Sequence, residues 1–529
     1  MASSFDLVIK GGLVVDGTGN PWLRKDIGIT NGKITGLGHI TEDSGETMDA
    51  TGMIVSPGFI DLHNHSDFSI LAYPSAESYI MQGVTTAVVG NCGMSLAPLN
   101  PDNLALLKRY FSPFPRVGHD YGWEWRTLAE YYEKVERQGI SLNLAPLVGQ
   151  GTIRLAVKGF DSTGSSAEEM KQMKKLLAQS LEDGAFGMST GLIFPPGCYS
   201  STEELIELAS VLREYGAVYT THMRDEGDRL IEALEEAIEI AEANGIPIEI
   251  SHHKAAGKSN RGKVNATLRL MEQARQRGVE VNCDVYPYIA GSSTITTLLP
   301  TWTLAGGVEK MLDRLKDKRT TQSIKREVTA GLMAMAGWHG IFIAECPSKK
   351  EYQGKSLEDI LKETDRFDDP YEGLFDLLLE IEGNATIIGF LMDEDDVRTV
   401  MSSPLSSFIS DSYVTAPDAG GKPHPRAYGT FPRVLGKYVR EEKLLTLEQA
   451  IRKMTSLPAG KIGLKSRGIL REGFWADVVI FDQAVIKDQA TFDDPHQYPK
   501  GIEYVIVNGQ VVVDHGRLTG VRPGKILRR

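Results

Sequence analysis

Two histidines separated by one residue, His63 and His65, are the first residues whose spacing could support chemistry. They directly follow the apolar run 54–62, and alternate side chains of an extended chain point the same way. Both imidazoles would then converge at the carboxyl end of a strand, which suits a metal ion. Two exposed loop histidines are the alternative, and the position of the pair in the fold has to decide between the two.

Further candidate metal ligands lie at the ends of other short apolar runs. Cys92, His222 and His252 each follow such a run, and Asp411 ends one. Each has a structural explanation when taken alone: a small buried apolar residue, a core histidine or a helix N-cap. Six candidates at five run ends are difficult to explain as coincidence. A thiolate together with imidazoles favours zinc over magnesium or calcium.

Eight short apolar runs alternate with helical segments, which is typical of parallel strands joined by crossover helices. Leu230, Leu234 and Ile238, for example, recur at helical spacing. We therefore predict an α/β fold, a (β/α)8 TIM barrel with its active site at the carboxyl ends of the strands. The runs are 54–62, 84–90, 142–149, 184–190, 217–221, 246–251, 280–286 and 408–411.

Both chain ends are predicted to be β-structure outside the barrel. Asn31-Gly32 and Asn508-Gly509 each interrupt an alternating apolar sequence, which is a strong hairpin signal. We predict one small β-domain made of residues 1–54 and 465–529, with the catalytic barrel over residues 55–464.

Two connections are too long for ordinary barrel loops. The segment of about 291–404, between strands 7 and 8, is predicted to be an inserted subdomain or lid. The connection 93–140 is rich in aromatic residues, and we predict that it forms part of the pocket wall.

Adjacent histidines, His252 and His253, compete for one inward position, because neighbouring strand residues face opposite sides. Residues 248, 250 and 252 share one face of an extended strand, so His252 takes the inward position if Ile248 and Ile250 face the same way as the ligand. His424 is kept as a candidate because it lies in the loop after the eighth strand. The histidines assigned structural roles, outside the strand ends, are His39, His119, His339, His496 and His515.

Charge and composition restrict the partners. The chain of 529 residues carries a net charge of −13, which argues against nucleic acid because phosphate binding needs a basic surface. No apolar run is long enough to span a membrane and no export signal is evident. Four scattered cysteines predict a reducing, cytoplasmic setting. A small-molecule substrate is expected, and the oligomeric state is left open.

Motifs along the whole chain resemble those of the D-aminoacylase (N-acyl-D-amino-acid deacylase) family of the amidohydrolase superfamily. The matching segments include SPGFIDLHNHSD, VVGNCGMS, APLVGQGTIR, GMSTGLIFPPG, THMRDEGD, ISHHKAAG, DVYPYIAGSS, PHPRAYGTFPRVLG and GVRPGKILRR. The resemblance implies a barrel of the metal-dependent hydrolase type, bound zinc, and hydrolysis of N-acyl-D-amino acids.

The resemblance also implies a ligand set. Most binuclear amidohydrolases use a carboxylated lysine at the end of the fourth strand, where the run 184–190 has no lysine. In the D-aminoacylase pattern a cysteine after the second strand takes that role, and Cys92 stands there. The two implied sites are a tight one of Cys92, His222 and His252, and a weaker one of His63, His65 and Cys92 that need not be filled.

Asp411 is predicted to act as general base and acid, since it lies at a strand end beside the implied metal. Lys254, Tyr286 and Arg426 are candidate anion binders, and a guanidinium suits a carboxylate. By resemblance, Arg426 and Tyr286 hold the α-carboxylate of the substrate. Lys254 and Arg426 could instead be solvated surface residues.

Two positions depart from the family pattern. Gln150 stands where the family often has histidine, and Phe194 where it often has tyrosine. Both are expected to line the substrate site, so the departures bear on substrate preference and not on the reaction.

Two other functions are compatible with a barrel of this kind. A cyclic-amide hydrolase, such as a hydantoinase or dihydroorotase, shares the barrel and the zinc but normally uses the missing lysine. A catalytically inactive scaffold would not need ligands at five strand ends, and an absence of bound zinc would favour it.

Overall fold

Eight parallel strands form the central barrel of the computed structural model, which describes residues 4–42, 44–114, 121–330 and 336–529. The first and eighth strands meet through a 2.9 Å hydrogen bond from the Asp411 amide to the His63 carbonyl. The predicted (β/α)8 barrel is thus confirmed. Its strands are Phe59–Asp61, Val84–Val89, Asn143–Pro146 with Val148–Gly149, Gly187–Gly191, Val218–His222, Ile248–Ile250, Val281–Val285 and Ser406–Phe408.

Amphipathic helices cover the outside of the barrel. Leu230–Asn244 buries Leu230, Leu234 and Ile238, as their spacing predicts. Within the described residues, no helix is long and apolar enough to cross a membrane. The helices outside the insertion are Glu77–Ile80, Leu104–Phe111, Leu128–Gln138, Gln150–Lys158, Ala167–Glu182, Thr202–Tyr215, Leu230–Asn244, Val264–Gln276, Glu394–Ser402, Arg426–Arg433, the π-helix Val434–Glu441, Leu447–Met454 and Ser456–Ile462.

Strands from both chain ends build two sheets beside the barrel. One has the order Lys33–Gly38, Asp26–Thr30, Phe5–Lys10 and Ser44–Asp49. The other has the order Arg517–Leu518, Gln510–Asp514, Ile502–Val507, Val478–Phe481, Ile54–Pro57, Leu13–Val14 and Leu23–Arg24.

The run 54–62, predicted as one barrel strand, is divided in the structure. Ile54–Pro57 pairs with Val478–Phe481 in the terminal sheet, and only Phe59–Asp61 belongs to the barrel. At the break, a side chain on Gly58 would lie 2.2 Å from Thr85 Oγ1, so the chain passes too close for any other residue. The boundary of the terminal β-structure therefore falls after Pro57 and not after residue 54.

An inserted unit follows the seventh strand. Its antiparallel sheet has the order Ala290–Thr294, Thr386–Phe390 and Ile341–Glu345, and its helices bury a separate apolar cluster. Glu394–Ser402, inside the predicted insertion, instead packs into the barrel core through Val397 and Met401. It is a barrel helix, so the inserted unit ends near Phe390. The helices of the insertion are Val308–Lys316, Lys318–Ala330, Leu357–Glu363 and Pro370–Glu380.

Candidate metal centre

Cys92 lies at the centre of the predicted ligands. Its Sγ is 3.3 Å from His63 Nε2, 3.5 Å from His252 Nε2 and 3.8 Å from His222 Nδ1. The thiol and these three imidazoles are buried, and each comes from the end of a different barrel strand. The barrel thus brings together side chains that lie up to 189 residues apart, from His63 to His252.

Asp411 completes the cluster. Its Oδ1 is 3.4 Å from His63 Nε2 and 3.5 Å from His65 Nε2. The side chains form two candidate metal-binding groups that share the cysteine. The first is His63, His65, Cys92 and Asp411, and the second is Cys92, His222 and His252.

The donor set fits zinc. Donor atoms around a tetrahedral zinc ion, with bonds of roughly 2.0–2.3 Å, are about 3.5 Å apart. The distances from Cys92 Sγ to the neighbouring imidazole nitrogens, 3.3–3.8 Å, lie around this value. Sulfur and nitrogen donors favour zinc over hard cations. Strand Gly187–Gly191, with sequence GMSTG, offers no lysine to bridge two ions.

Neighbouring groups favour the thiolate form of Cys92. Burial alone would raise the pKa of this thiol, but the charge of His63 and hydrogen bonds from His222 and His252 outweigh it and hold the pKa well below its usual value. A thiolate is the form that binds metal.

Three residues of the cluster have a strained backbone. Cys92, His252 and Asp411 have φ values of 53°, 35° and 49°, in a left-handed region that costs a non-glycine residue on the order of 1–3 kcal/mol. Each lies just beyond the end of a barrel strand, where the positive φ turns the side chain toward the cluster. Strain of this kind is characteristic of functional sites.

Glu226 is a residue at the centre that sequence reasoning missed. Its Oε1 is 2.9 Å from His252 Nδ1 and 2.5 Å from Lys254 Nζ, and its Oε2 is 3.6 Å from His222 Nε2. Burial would raise the pKa of Glu226, but Lys254, His222 and His252 hold it well below its usual range. The available signal was its place four residues after His222, in THMRDEGD.

Asp284, at the seventh strand, was also missed. Its Oδ2 is 3.7 Å from His63 Nδ1, and its Oδ1 accepts a hydrogen bond from the His252 amide. It therefore contacts the outer side of one ligand and fixes the backbone of another.

The predicted anion binders form one group beside Asp411. Arg426 Nη1 is 2.8 Å from Asp411 Oδ2, and its guanidinium carbon lies 4.6 Å from the centre of the Tyr286 ring. Lys254 Nζ is 5.7 Å from the same ring. Burial would raise the pKa of Asp411, but Arg426 and the histidines hold it well below its usual range.

Two histidines that the sequence left as further candidates, His253 and His424, lie outside the candidate metal-binding groups. His253 Nε2 is 2.8 Å from Thr267 Oγ1, and burial lowers its pKa to about 3. His424 Nε2 is 3.0 Å from the Ala290 carbonyl, and its Nδ1 accepts a hydrogen bond from the Arg426 amide. Of the remaining histidines, His119 lies outside the described residues, and none of the others belongs to a metal-binding group there.

A second set of side chains lies close to Cys92. The Phe194 ring is 5.1 Å from the His222 ring, and Phe194 lines a small cavity with Tyr110 and Phe111. Gln150, buried nearby, donates a hydrogen bond to Ser200 Oγ at 2.9 Å. The connection 93–140 thus reaches the pocket in part.

Other aromatic residues of that connection belong to the main core. Trp123 and Trp125 are buried there, with their rings stacked 5.1 Å apart.

Eight parallel strands with a cysteine–histidine centre at their carboxyl ends define a metal-dependent hydrolase barrel. The sequence profile of the amidohydrolase family matches residues 46–513, and the chain belongs to this family.

Two relatives from Alcaligenes xylosoxydans xylosoxydans match over almost the full length. N-acyl-D-glutamate deacylase is 38% identical and covers 100% of this chain and 98% of its own. D-aminoacylase is 35% identical and covers 99% of this chain and 98% of its own. The predicted family resemblance is confirmed.

A solved structure is similarly close. N-acyl-D-glutamate deacylase from Bordetella bronchiseptica, complexed with zinc and a phosphonate that mimics the tetrahedral intermediate, matches with a TM-score of 0.83. It is 34% identical, and the match covers 99% of this chain and 100% of that one.

Proposed function

We propose that the protein hydrolyses the amide bond of N-acyl-D-amino acids with zinc, releasing a carboxylate and a free D-amino acid. The observation that carries this proposal is Cys92, which stands in both metal-binding groups of a barrel whose fourth strand has no lysine. The D configuration rests on the names of the relatives.

Cys92, His222 and His252 would hold the tight zinc ion, and His63 and His65 with Cys92 a weaker one. Zinc supplies a Lewis acid that polarises an amide carbonyl and lowers the pKa of water to about 7.

Asp411 is the proposed proton carrier. It would take the proton of the attacking water at its carboxylate and return it to the leaving amine nitrogen. Its place within 3.5 Å of His63 and His65 supports this role. Because its pKa is held low, the carboxylate is ionised at neutral pH, which is the form a general base requires.

Lys254, Tyr286 and Arg426 are proposed to bind the substrate carboxylate. Arg426 contacts the Asp411 carboxylate, and the two cations, Arg426 and Lys254, lie 4.6 and 5.7 Å from the Tyr286 ring centre. All of these side chains are buried, where a charge is weakly screened. Burial also excludes competing water from the amide.

The missing lysine argues against a hydantoinase-like or dihydroorotase-like activity. The full ligand set argues against an inactive scaffold.

We further propose a reducing, cytoplasmic setting, because Cys92 must stay unoxidised to bind metal.

The test is hydrolysis of a panel of N-acetyl-D- and N-acetyl-L-amino acids against hydantoins, with zinc quantified in the same preparation. We expect turnover of the D-amino acid derivatives and about one zinc ion per chain. Turnover confined to hydantoins, or a preparation that binds no zinc, would contradict the proposal.

A further inference from the structure

We propose that Glu226 is a positioning residue that holds His222, His252 and Lys254 in one arrangement and so links metal binding to recognition of the substrate carboxylate. The metal part stands on geometry alone. The carboxylate part rests on the proposed function.

One carboxylate reaches the outer nitrogens of two ligands. His222 turns Nδ1 toward Cys92 and Nε2 toward Glu226. His252 does the opposite, with Nε2 toward Cys92 and Nδ1 toward Glu226. The two imidazoles therefore present different nitrogens to the metal side, yet both present their remaining nitrogen to the same carboxylate.

The contacts with Glu226 favour one tautomer of each ring. An imidazole that binds metal through one nitrogen carries its proton on the other, and a carboxylate there fixes the tautomer and the ring orientation. At His252 the contact of 2.9 Å is a hydrogen-bond distance, while at His222 the 3.6 Å contact is electrostatic. Loss of Glu226 should therefore disturb the ring orientation of His252 more than that of His222.

The same carboxylate also holds Lys254. Its ammonium lies 2.5 Å from Glu226 Oε1, and the side chain is only 9% exposed. It also lies 2.6 Å from His252 Nδ1, which cannot accept from it while that nitrogen carries a proton, so Glu226 is the acceptor for both groups. A buried ammonium needs a counter-charge to remain in place. Glu226 thus keeps the lysine beside Tyr286, where a substrate carboxylate would meet it.

Glu226→Gln tests both parts, because it keeps the shape and removes the charge. We expect zinc affinity, measured by competition with a chelator, to fall roughly 10–100-fold, as for other outer partners of metal ligands. We expect KM to rise more for N-acyl-D-amino acids than for the corresponding amides.

Two further variants separate the roles. Lys254→Met should give the same KM pattern but a smaller loss of zinc affinity than Glu226→Gln, because Glu226 remains to hold both imidazoles. Glu236→Gln is the matched control, since Glu236 pairs with Arg224 at 2.8 Å close to the same loop but touches no ligand; it should alter neither quantity.

Zinc affinity equal to that of the wild type in Glu226→Gln would overturn the metal part, whether or not the wild type hydrolyses N-acyl-D-amino acids. An equal rise in KM for acids and amides would overturn the carboxylate part. If Glu226→Gln fails to fold, Glu226→Asp replaces it, because aspartate keeps the charge on a shorter side chain that no longer reaches the same atoms. Unchanged zinc affinity and KM in Glu226→Asp would likewise count against the proposal.

Discussion

Asp411 contacts both the metal-binding cluster and the anion-binding group, so its replacement separates chemistry from metal binding. We expect Asp411→Asn to abolish hydrolysis, because an amide cannot carry the proton from water to the leaving amine. Zinc content should stay near that of the wild type, since Cys92, His222 and His252 remain. Kinetic assay and metal analysis of one preparation check this, and substantial turnover would remove Asp411 from the role.

Arg426 has two contacts that predict two effects. Arg426→Ala should raise KM more for N-acyl-D-amino acids than for their amides, because a carboxylate partner is lost. It should also lower kcat for both, because the guanidinium 2.8 Å from Asp411 no longer orients the base. Steady-state kinetics with paired acid and amide substrates measures both effects.

Arg433→Ala is the control for Arg426. Arg433 lies in the same helix but pairs with Asp488 at 2.9 Å, so its loss should not discriminate between acid and amide. If Arg426→Ala also fails to discriminate, Arg426 does not bind the substrate carboxylate.

The sequence was sufficient for the candidate ligands but not for the residues that contact them from outside the cluster. His63, His65, Cys92, His222 and His252 could be found because each follows an apolar strand, and strand ends of a barrel share one face. Glu226 and Asp284 could not be assigned in this way. Glu226 depends on the path of the loop after the fifth strand, and Asp284 on which side of the seventh strand faces His63.

At the level of elements, periodicity predicts where strands and helices occur but not which sheet they join. The run 54–62 is interrupted by Ser56-Pro57-Gly58, which signals a break but not that the two halves belong to different sheets. Helix Glu394–Ser402 falls within the predicted insertion because no sequence signal separates it from the preceding segment. In both cases long-range packing decides the assignment, and residue spacing does not contain that information.

Helix Leu447–Met454 is fixed to the eighth strand by a buried lysine, and this predicts a pH effect. Lys453 Nζ donates to the Ser406 carbonyl at 3.0 Å, and burial lowers its pKa from 10.5 to about 8. Between these values the unfolded chain holds a proton that the folded chain has released. The free energy of unfolding should therefore rise with pH from about 8 to 10.5, by up to about 3 kcal/mol from this group.

Denaturant unfolding of the wild type and Lys453→Met at pH 7.5, 8.5 and 9.5 isolates that contribution. The difference in unfolding free energy, wild type minus variant, should increase with pH. Arg471→Met is the control, because this exposed guanidinium is not among the groups that shift the pKa of Lys453. It should give a constant difference, since a guanidinium keeps its proton in this range. A constant difference for Lys453→Met as well would show that Lys453 is not the group responsible.

Across the whole molecule, the metal centre ties together strands that are distant in sequence. Its candidate ligands come from the ends of the first, second, fifth, sixth and eighth strands. An ion bound there therefore opposes separation of these strands, including the first and eighth strands, which close the barrel. Because an ion that binds only the folded state stabilises it, removal of zinc should lower the thermal midpoint. At zinc concentrations about 1,000 times Kd the stabilisation would be about 4 kcal/mol.

The effect should be local as well as large. Hydrogen exchange in the zinc-free protein should accelerate at the ligand-bearing strand ends, because local opening there no longer breaks metal bonds. The inserted sheet of Ala290–Thr294, Ile341–Glu345 and Thr386–Phe390 has its own apolar core and holds none of the candidate ligands, so its exchange should change little. Uniform acceleration across the barrel and the insertion would mean that the metal does not act through these strand ends. If zinc is added back and slow exchange returns at the strand ends, with the insertion unchanged throughout, the stabilising ion lies among the candidate ligands. These are His63, His65, Cys92, His222, His252 and Asp411.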